Sequence, residues 1–170
     1  FPRLPRLPRL PRLSKTFMAL FDDFYFTKIA AAYVRGSLAE TQTGPLFETP
    51  LEELAEEDFT ALIELGLAAG LRLHRFKRTM GLVRVQRVLG TLRGLYPQNL
   101  LDVGTGRGAF LWPLLDAFPA LEVTCVDLDE KRVRDIRAVR NGGFDNLQAE
   151  QFDVTELPFA DDSFEVVTML

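Results

Sequence analysis

Cysteine, histidine and long apolar runs are scarce in this sequence, and each scarcity excludes a class of protein. The single cysteine, Cys125, cannot form a disulfide within the chain. Together with the single histidine, His74, it cannot supply the ligands of a Cys/His zinc cluster. No uncharged apolar run approaches the roughly 18 residues that a transmembrane helix needs. We therefore expect neither a metal site nor a membrane-spanning segment.

The charge of the chain is unevenly distributed. The 170 residues carry a formal net charge of −4, but residues 1–15 contain five basic residues and no acidic one. The rest of the chain has 15 basic and 24 acidic residues, a net charge of −9, which argues against a general polyanion binder. Apolar residues make up 47% of the chain and charged residues 26%, the balance of a globular protein. The length of 170 residues suits one domain, or one domain with an appendage.

The first 13 residues are dominated by four consecutive copies of Pro-Arg-Leu. A proline at every third position prevents a helix and favours an extended polyproline II conformation. We interpret residues 1–13 either as a docking motif for a proline-reading or acidic partner, or as a disordered tail or cloning artefact. At the other end, the apolar run 164–170 reaches the last residue without a turn, which predicts that the domain continues beyond Leu170.

Residues 14–98 are predicted to form a helical N-terminal segment. The composition favours one aromatic-rich helix over 14–38. Thr49, Pro50 and Glu52 then have the order of a second helix start, with a capping threonine, a proline in the first turn and a capping box. The apolar stripe of a third helical pattern consists of Leu82, Val85, Leu89, Leu92 and Leu95.

Two parts of this segment have opposite charge. Residues 48–64 contain seven acidic and no basic residues, whereas residues 71–95 contain seven lysines or arginines and no acidic residue. We expect the basic helix 71–95 to pair with the acidic helix or to face solvent, with His74 at the surface. The alternative is a surface that contacts RNA phosphates. Few aromatic residues interleave with the basic ones, so no strong nucleic-acid binding is expected.

From residue 99 the pattern changes to short apolar runs that alternate with helical stretches. Strands are predicted over 99–103, 121–127, 146–152 and 164–170. A helix is predicted over 131–140, with Val133, Ile136 and Val139 facing inward. Such alternation implies parallel strands joined by right-handed crossovers. The predicted fold class is therefore α/β, with an open sheet that begins near Leu100.

Three glycines follow the first predicted strand in Asp102-Val103-Gly104-Thr105-Gly106-Arg107-Gly108. Glycine lets the backbone turn tightly and approach a ligand closely, and the helix that follows favours an anionic group at its start. The spacing is Gly-x-Gly-x-Gly, not the Gly-x-Gly-x-x-Gly of dinucleotide sites. Asp127 ends the second predicted strand, where a carboxylate can accept both ribose hydroxyls of an adenosine. Asp153 ends the third and leads into Leu157-Pro158-Phe159 and Ser163-Phe164.

These three motifs resemble the class I S-adenosylmethionine-dependent methyltransferases. The similarity is to a subgroup with Leu-Pro-Phe-x-x-x-Ser-Phe-Asp-x-Val before the fourth strand, in which Glu165 here replaces the aspartate. The resemblance covers residues 99–170 and implies a Rossmann-like class I methyltransferase sheet, cut after its fourth strand and preceded by the helical N-terminal segment. It also implies S-adenosylmethionine as the cofactor.

The resemblance assigns the methionine end of the cofactor to the first motif. Asp102 would orient this end directly or through water, and Gly104 and Gly106 would leave room for it. The carbonyls near Thr168 would meet the methionine ammonium. On the residues alone, Asp102 has a second interpretation as a cap of the glycine turn.

The same resemblance assigns the adenosine end to the second and third strand ends. Asp127 would hold the ribose diol, and Leu128 would pack on the adenine face. Asp153 would accept a hydrogen bond from the adenine amino group, and the Val154 amide would donate one to the ring. The alternatives are that Asp153 caps the turn after its strand and that Leu128 belongs to the core.

The function expected from this resemblance is methyl transfer to a small molecule by a cytoplasmic enzyme. The fragment offers no credible catalytic base, so we expect the catalytic residues beyond Leu170. One alternative is an RNA methyltransferase that uses the basic helix 71–95, and another is a non-catalytic cofactor-binding or scaffolding subunit. Pro113 departs from the family pattern, and we expect it to kink the helix after the glycine loop or to delay its start.

Overall fold

The computed structural model describes residues 26–78 and 82–170. The predictions for the Pro-Arg-Leu repeat and for residues 14–25 lie outside these ranges. The helices are α1 Thr27–Leu38, α2 Pro45–Glu48, α3 Glu56–Ala68, α4 Val83–Leu95, α5 Leu111–Ala117 and α6 Glu130–Asn141. The strands are β1 Asn99–Val103, β2 Glu122–Asp127, β3 Leu147–Gln151 and β4 Val166–Thr168. Short 3-10 helices lie at Leu51–Glu53, Leu73–Phe76 and Val154–Glu156.

The four strands form one parallel sheet in the order β3-β2-β1-β4. The chain moves outward from β1 through β2 to β3 and then returns to the other side of β1. This reversal places a topological switch point between β1 and β4, and ligands of open α/β sheets bind beyond the carboxyl ends of the strands near such a point. The predicted α/β class, parallel pairing and Rossmann-like architecture are confirmed.

The strand bounds agree with the predicted ones to within two residues. The fourth strand begins at Val166 and not at Phe164, because the Phe164 ring leaves the strand to pack edge-on against Phe159, with ring centroids 5.0 Å apart. Glu165 fixes the start of β4, since its carboxylate accepts a hydrogen bond from the Gln98 N–H at 2.8 Å.

Helices cover one face of the sheet, and α6 supplies much of this layer. Val133, Ile136 and Val139 of α6 are all buried, as predicted. The helix α1, which begins at Thr27, lies directly on α6. A Cβ added at Gly36 would come within 1.9 Å of the Ala138 carbonyl oxygen. The two backbones thus approach so closely that only small residues fit between them.

The helix α5 shows how a proline is accommodated after the glycine loop. Leu111 is its first residue, which makes Pro113 the third. The first turn of a helix has backbone N–H groups without an intrahelical acceptor, so a proline costs little there. The delayed start expected from Pro113 is confirmed.

The second predicted helix starts later than expected. The sequence predicts a start at Pro50, with Glu52 in the capping box, but Leu51–Glu53 forms a separate 3-10 turn and α3 begins at Glu56. The carboxylate of Asp58 accepts a hydrogen bond from the Ala55 N–H at 3.0 Å. This bond satisfies a donor at the helix start, which is the part of a capping box that we had assigned to Glu52.

The predicted basic helix over 71–95 is wrong in its extent. The helix α4 covers only Val83–Leu95, and residues 73–76 form a 3-10 turn. The solvent-facing alternative holds for Arg84, Arg87 and Arg93 of α4, which are exposed. The ion pairs that the structure describes for the residues before α4 are made with helices other than the acidic one. Arg75 pairs with Asp135 of α6, and Arg78 pairs with Asp116 of α5 at 3.1 Å. His74 is exposed, as expected.

Candidate functional site

The carboxyl ends of β1, β2 and β3 surround a cleft of about 270 Å³. It lies where a parallel sheet of this topology binds its ligands. Five residues predicted to bind the cofactor line it: Gly104, Asp127, Leu128, Asp153 and Val154. Three strand ends that are far apart in the sequence are thus brought together as the resemblance implies.

The two remaining predicted residues, Asp102 and Gly106, do not line this cleft. Asp102 lies at a small neighbouring cavity of about 30 Å³, which it shares with Thr105 and Arg84. Gly104 lines both cavities and connects them. A Cβ added at Gly104 would meet no atom within 4 Å. The backbone at this point therefore borders open space, and a ligand could pass from one cavity to the other across it.

The glycine loop depends on backbone conformations that other residues rarely adopt. Gly104, Gly106 and Gly108 have φ angles of 71°, 63° and 79°, in the left-handed region that glycine enters without a steric penalty. Gly108 is also crowded, because an added Cβ would lie 2.2 Å from the indole ring of Trp112. The loop is held further by the Trp112 Nε1–H, which donates to the Arg107 carbonyl at 3.0 Å.

Asp127 ties the glycine loop to the end of β2. Its Oδ2 accepts a hydrogen bond from the Gly106 N–H at 2.8 Å, and its Oδ1 accepts one from the Asp129 N–H at 2.9 Å. Each carboxylate oxygen can accept two hydrogen bonds, so one position on each oxygen remains for a ligand. Gly106 thus acts by orienting Asp127, which sequence reasoning did not foresee.

Asp102 is a buried acid with only 2% of its surface exposed. The Thr168 hydroxyl donates a hydrogen bond to its Oδ1 at 2.9 Å. Burial raises the pKa of Asp102 to about 6, the Asp127 carboxylate adds to this shift, and the hydroxyls of Thr168 and Thr105 oppose it. A neighbouring cation would lower the pKa again. The site therefore favours a positively charged group near Asp102.

Asp153 caps the turn that follows β3, so the capping role that the sequence offered as an alternative is present. Its Oδ1 accepts hydrogen bonds from the Thr155 N–H at 2.9 Å and from the Thr155 hydroxyl at 2.8 Å. The backbone bond from Thr155 is the main reason why the pKa of Asp153 lies below its ordinary value. Among the described residues, Oδ2 has no hydrogen-bond partner. Capping and ligand binding therefore use different oxygens and are compatible.

Apolar side chains form the walls of the larger cleft and are unusually exposed. Leu128 is 68% exposed, Val154 50% and Met169 68%. The alternative that Leu128 belongs to the core is therefore wrong. Exposed apolar surface that lines a concave site is typical of a binding site for a flat apolar group.

Sequence reasoning missed the hydroxyl of Thr168 and the side chain of Met169. The available signal for Thr168 was a polar residue within an apolar strand, and we had assigned a role only to the carbonyls near it. The register places Thr168 directly beside Asp102 in the adjacent strand. Met169 carried no signal, because its place in the cleft depends on β4 lying next to β1.

Residues 26–78 and 82–170 contain no set of side chains that could bind a metal ion. The His, Cys, Asp and Glu side chains in these ranges form no group of three or more that could hold a metal ion. Cys125 is buried in β2, and burial raises the pKa of its thiol well above the ordinary value. It is a packing residue and a poor nucleophile. Over the same ranges, no helix is long and apolar enough to cross a membrane.

Comparison with known proteins agrees with this geometry. Residues 100–170 match the family model described as a methyltransferase domain. A malonyl-[acyl-carrier protein] O-methyltransferase of Methylococcus capsulatus is 30% identical over 135 residues, 77% of this chain and 45% of that protein. Another of this name, from Geobacter sulfurreducens, is 35% identical over 85 residues, 49% of this chain and 32% of that protein.

A demethylmenaquinone methyltransferase of Porphyromonas gingivalis is 34% identical over 99 residues, 56% of this chain and 40% of that protein. The chain therefore spans less than half the length of each of these curated relatives. The parallel sheet and its strand-end cleft define a Rossmann-like ligand-binding domain. Together with the matches, they show that residues 100–170 belong to the class I S-adenosylmethionine-dependent methyltransferases.

Proposed function

We propose that this chain is part of an enzyme that transfers a methyl group from S-adenosylmethionine to a small-molecule acceptor. The observation that carries the proposal is the cleft of about 270 Å³ at the ends of three strands, where the Asp127 carboxylate lies among exposed apolar side chains. This combination suits an adenosine, which has a diol at one end and a flat ring at the other. When bound, S-adenosylmethionine would supply an electrophilic methyl group on a sulfonium.

The adenosine end is assigned to the larger cleft. Asp127 retains one free acceptor position on each oxygen, which matches the two hydroxyls of a ribose. Leu128 and Val154 offer apolar surface to the ring. The free Oδ2 of Asp153 would accept a hydrogen bond from an exocyclic amino group, and the Val154 amide would donate one to the ring.

The methionine end is assigned to the smaller cavity beside Asp102. A buried carboxylate near neutral pH is stabilised by a cation, and the methionine end carries both an ammonium and a sulfonium. Thr168 fixes the orientation of Asp102 through its hydroxyl. The carbonyls near Thr168 remain candidates for the same ammonium. Gly104 would border the bound molecule where it passes from one cavity to the other, which fits its open surroundings.

Methyl transfer from a sulfonium is an in-line displacement, so alignment and exclusion of water are the main contributions of the protein. Asp127 and Asp102 would fix the two ends of the donor. A base is needed only if the acceptor must lose a proton, and we assign none to the described residues.

A small-molecule acceptor is favoured over RNA by the charges. Residues 99–170 contain six basic and 14 acidic residues, an unfavourable composition for a nucleic-acid groove. Two arginines of the basic stretch, Arg75 and Arg78, are engaged in ion pairs. The relatives named above methylate either malonyl-[acyl-carrier protein] or demethylmenaquinone, and neither name points to RNA. A cytoplasmic location belongs to the same proposal.

The cofactor assignment is tested with Asp127→Ala in the full-length protein. We expect calorimetry to show a loss of S-adenosylmethionine affinity on the order of 10- to 100-fold, because a charged hydrogen-bond acceptor is removed. Asp145→Ala is the matched control, since it removes an exposed carboxylate outside the cleft. Equal affinities for wild type and Asp127→Ala, or tighter binding of NAD, would contradict the assignment.

The enzymatic part of the proposal needs a separate measurement. Radiolabelled S-adenosylmethionine is incubated with the full-length protein and a small-molecule extract, and the label is followed into the low-mass fraction. We expect transfer by wild type and a strong reduction in Asp127→Ala. Intact cofactor binding without any transfer to small molecules would favour the non-catalytic alternative. Transfer of label to RNA would favour the other alternative.

A further inference from the structure

A third cavity, of about 210 Å³, is lined in part by Gly106 and Arg107 of the glycine loop. We call it the basic cavity because five cationic side chains line it: Arg72, Arg75, Arg107, Lys131 and Arg132. They come from three separate parts of the chain, namely the 3-10 turn region, the glycine loop and the start of α6. Their convergence is therefore produced by the fold and is not visible as a run in the sequence.

Two carboxylates also line the basic cavity, and both are already engaged. Asp135 pairs with Arg75 and accepts a hydrogen bond from the Tyr33 hydroxyl at 3.3 Å. Asp129 pairs with the Nε of Arg132 at 3.0 Å and accepts a hydrogen bond from the Lys131 N–H at 3.0 Å. Each carboxylate thus offsets one arginine.

Three cations of the basic cavity remain without a counter-charge. Over the described residues, the side chains of Arg72, Arg107 and Lys131 make no ion pair and no hydrogen bond. Like charges that converge on one cavity repel each other, and an anion bound in the cavity would relieve this repulsion. The chain as a whole is acidic, with a net charge of −4, so this potential is local.

We propose that the basic cavity binds a phosphate group, either free or as a phosphate monoester. The ligand's charge of about −1.5 to −2 near neutral pH matches several converging cations better than a single carboxylate does. Arginine guanidinium groups form paired hydrogen bonds with phosphate oxygens, and lysine adds a point charge. The amides at the start of α6 do not make the site, because Asp129 already caps that helix. The site is made by side chains.

The basic cavity and the cofactor cleft share the glycine loop. Gly106 lines the basic cavity, while its N–H bonds to Asp127. The guanidinium of Arg132 lies close behind this glycine, since an added Cβ would be 3.0 Å from its Nη1. The phosphate proposal nevertheless stands independently of the proposed methyl transfer, because it concerns different side chains and is measured without S-adenosylmethionine.

The test is isothermal titration of the full-length protein with inorganic phosphate at low ionic strength. The variants Arg72→Gln and Lys131→Gln each remove one unpaired cation. Arg134→Gln is the matched control, because it removes an exposed charge from the same helix, α6, outside the basic cavity. We expect saturable phosphate binding to wild type and to the control, with a loss of roughly tenfold or more in each of the other variants.

Absence of phosphate binding to wild type would overturn the proposal, and so would an equal loss in Arg134→Gln, which would indicate a general charge effect. If Arg72→Gln does not fold, Lys131→Gln decides alone, since the Lys131 side chain is exposed and forms no hydrogen bond or ion pair with a described residue. Glycerol 3-phosphate is titrated in parallel. Tighter binding than that of inorganic phosphate assigns the cavity to a phosphate ester, and equal binding assigns it to free phosphate. Binding of polyglutamate without binding of phosphate would overturn the proposal.

Discussion

Replacing Asp102 by asparagine should stabilise the fold at neutral pH. Asp102 lies at the end of β1, is 2% exposed and has a pKa of about 6 because burial disfavours its charged form. Asparagine has nearly the same shape and carries no charge. Its carbonyl oxygen could still accept the hydrogen bond that the Thr168 hydroxyl donates to Asp102.

The magnitude follows from the difference between the folded and unfolded pKa of Asp102. The pKa rises from 3.8 to about 6 on folding, and one pH unit corresponds to about 1.36 kcal/mol. The charged carboxylate therefore lowers the free energy of unfolding by about 3 kcal/mol above pH 6, and protonation removes this penalty. Since the folded pKa is the higher one, stability from this group is fully present below pH 3.8 and is lost as the pH rises through 6.

The assay is urea unfolding of the full-length protein at several values between pH 4 and pH 8. We expect Asp102→Asn to be more stable than wild type by about 1–3 kcal/mol at pH 7.5, the lower figure allowing for an unsatisfied amide NH₂ in the asparagine. The advantage should shrink as the pH falls and disappear near pH 4. Other carboxylates titrate in both proteins, so the difference between the two curves isolates Asp102.

Asp145→Asn serves as the control for removal of one negative charge at an exposed position. It should leave the pH dependence of the unfolding free energy unchanged. A constant difference between wild type and Asp102→Asn across the pH range would refute the burial argument. A wild type that is more stable than Asp102→Asn at pH 7.5 would also refute the burial argument. The same ionisation predicts weaker cofactor binding below pH 6, where Asp102 is protonated.

Three glycine substitutions make further predictions. Gly36→Ala should lower the free energy of unfolding by about 1–3 kcal/mol, because its Cβ would lie 1.9 Å from the Ala138 carbonyl oxygen. Gly90→Ala, with open space around it, should raise the free energy of unfolding by about 0.5–1 kcal/mol. Equal effects of the two substitutions in thermal melts would contradict the described packing of α1 on α6. Gly108→Ala should displace Trp112, the sole tryptophan of the sequence, and shift its fluorescence; an unchanged spectrum and melting temperature would show that the loop tolerates a Cβ.

The α/β half of the fold could be predicted because each of its elements has a local signal. The strands are short apolar runs, and α6 combines a capping aspartate, Asp129, with three apolar residues at helical spacing. These features are properties of neighbouring residues. Hydrophobic burial then leaves few alternatives for how such elements assemble, since parallel strands require the intervening helices to cover the sheet.

The errors in the N-terminal segment have a different origin. Leu51, predicted within the first helical turn of the second helix, belongs instead to a separate 3-10 turn, and its side chain is buried next to Gly143, near the end of α6. The partners of Arg75 and Arg78 could not be predicted, because charge alone does not select them. Arg75 and Arg78 bond to Asp135 and Asp116, carboxylates that the fold of α6 and α5 brings near them.

The candidate site also contains some features that have a local sequence signal and others that depend on the fold. The sequence located Asp102, which precedes the glycine loop, and Asp127, which ends the second predicted strand. It could not reveal the bond from Thr168 to Asp102, which joins residues 66 positions apart and exists because β4 pairs with β1. Nor could it reveal the bond from Gly106 to Asp127. Such contacts depend on strand order, which no local pattern specifies.

The Leu-Pro-Phe and Ser-Phe residues that carry the family resemblance act through packing. Leu157, Phe159 and Phe164 lie against the second face of the sheet, where Leu101, Val103 and Val126 would otherwise meet water. The Phe152 side chain also covers this face, and Asp153 follows it in the sequence. The cluster thus holds the carboxyl ends of β1, β2 and β3 in one layer, just below the cleft. A motif without reactive groups can therefore mark a binding site, because it fixes the strand ends from which the binding residues project.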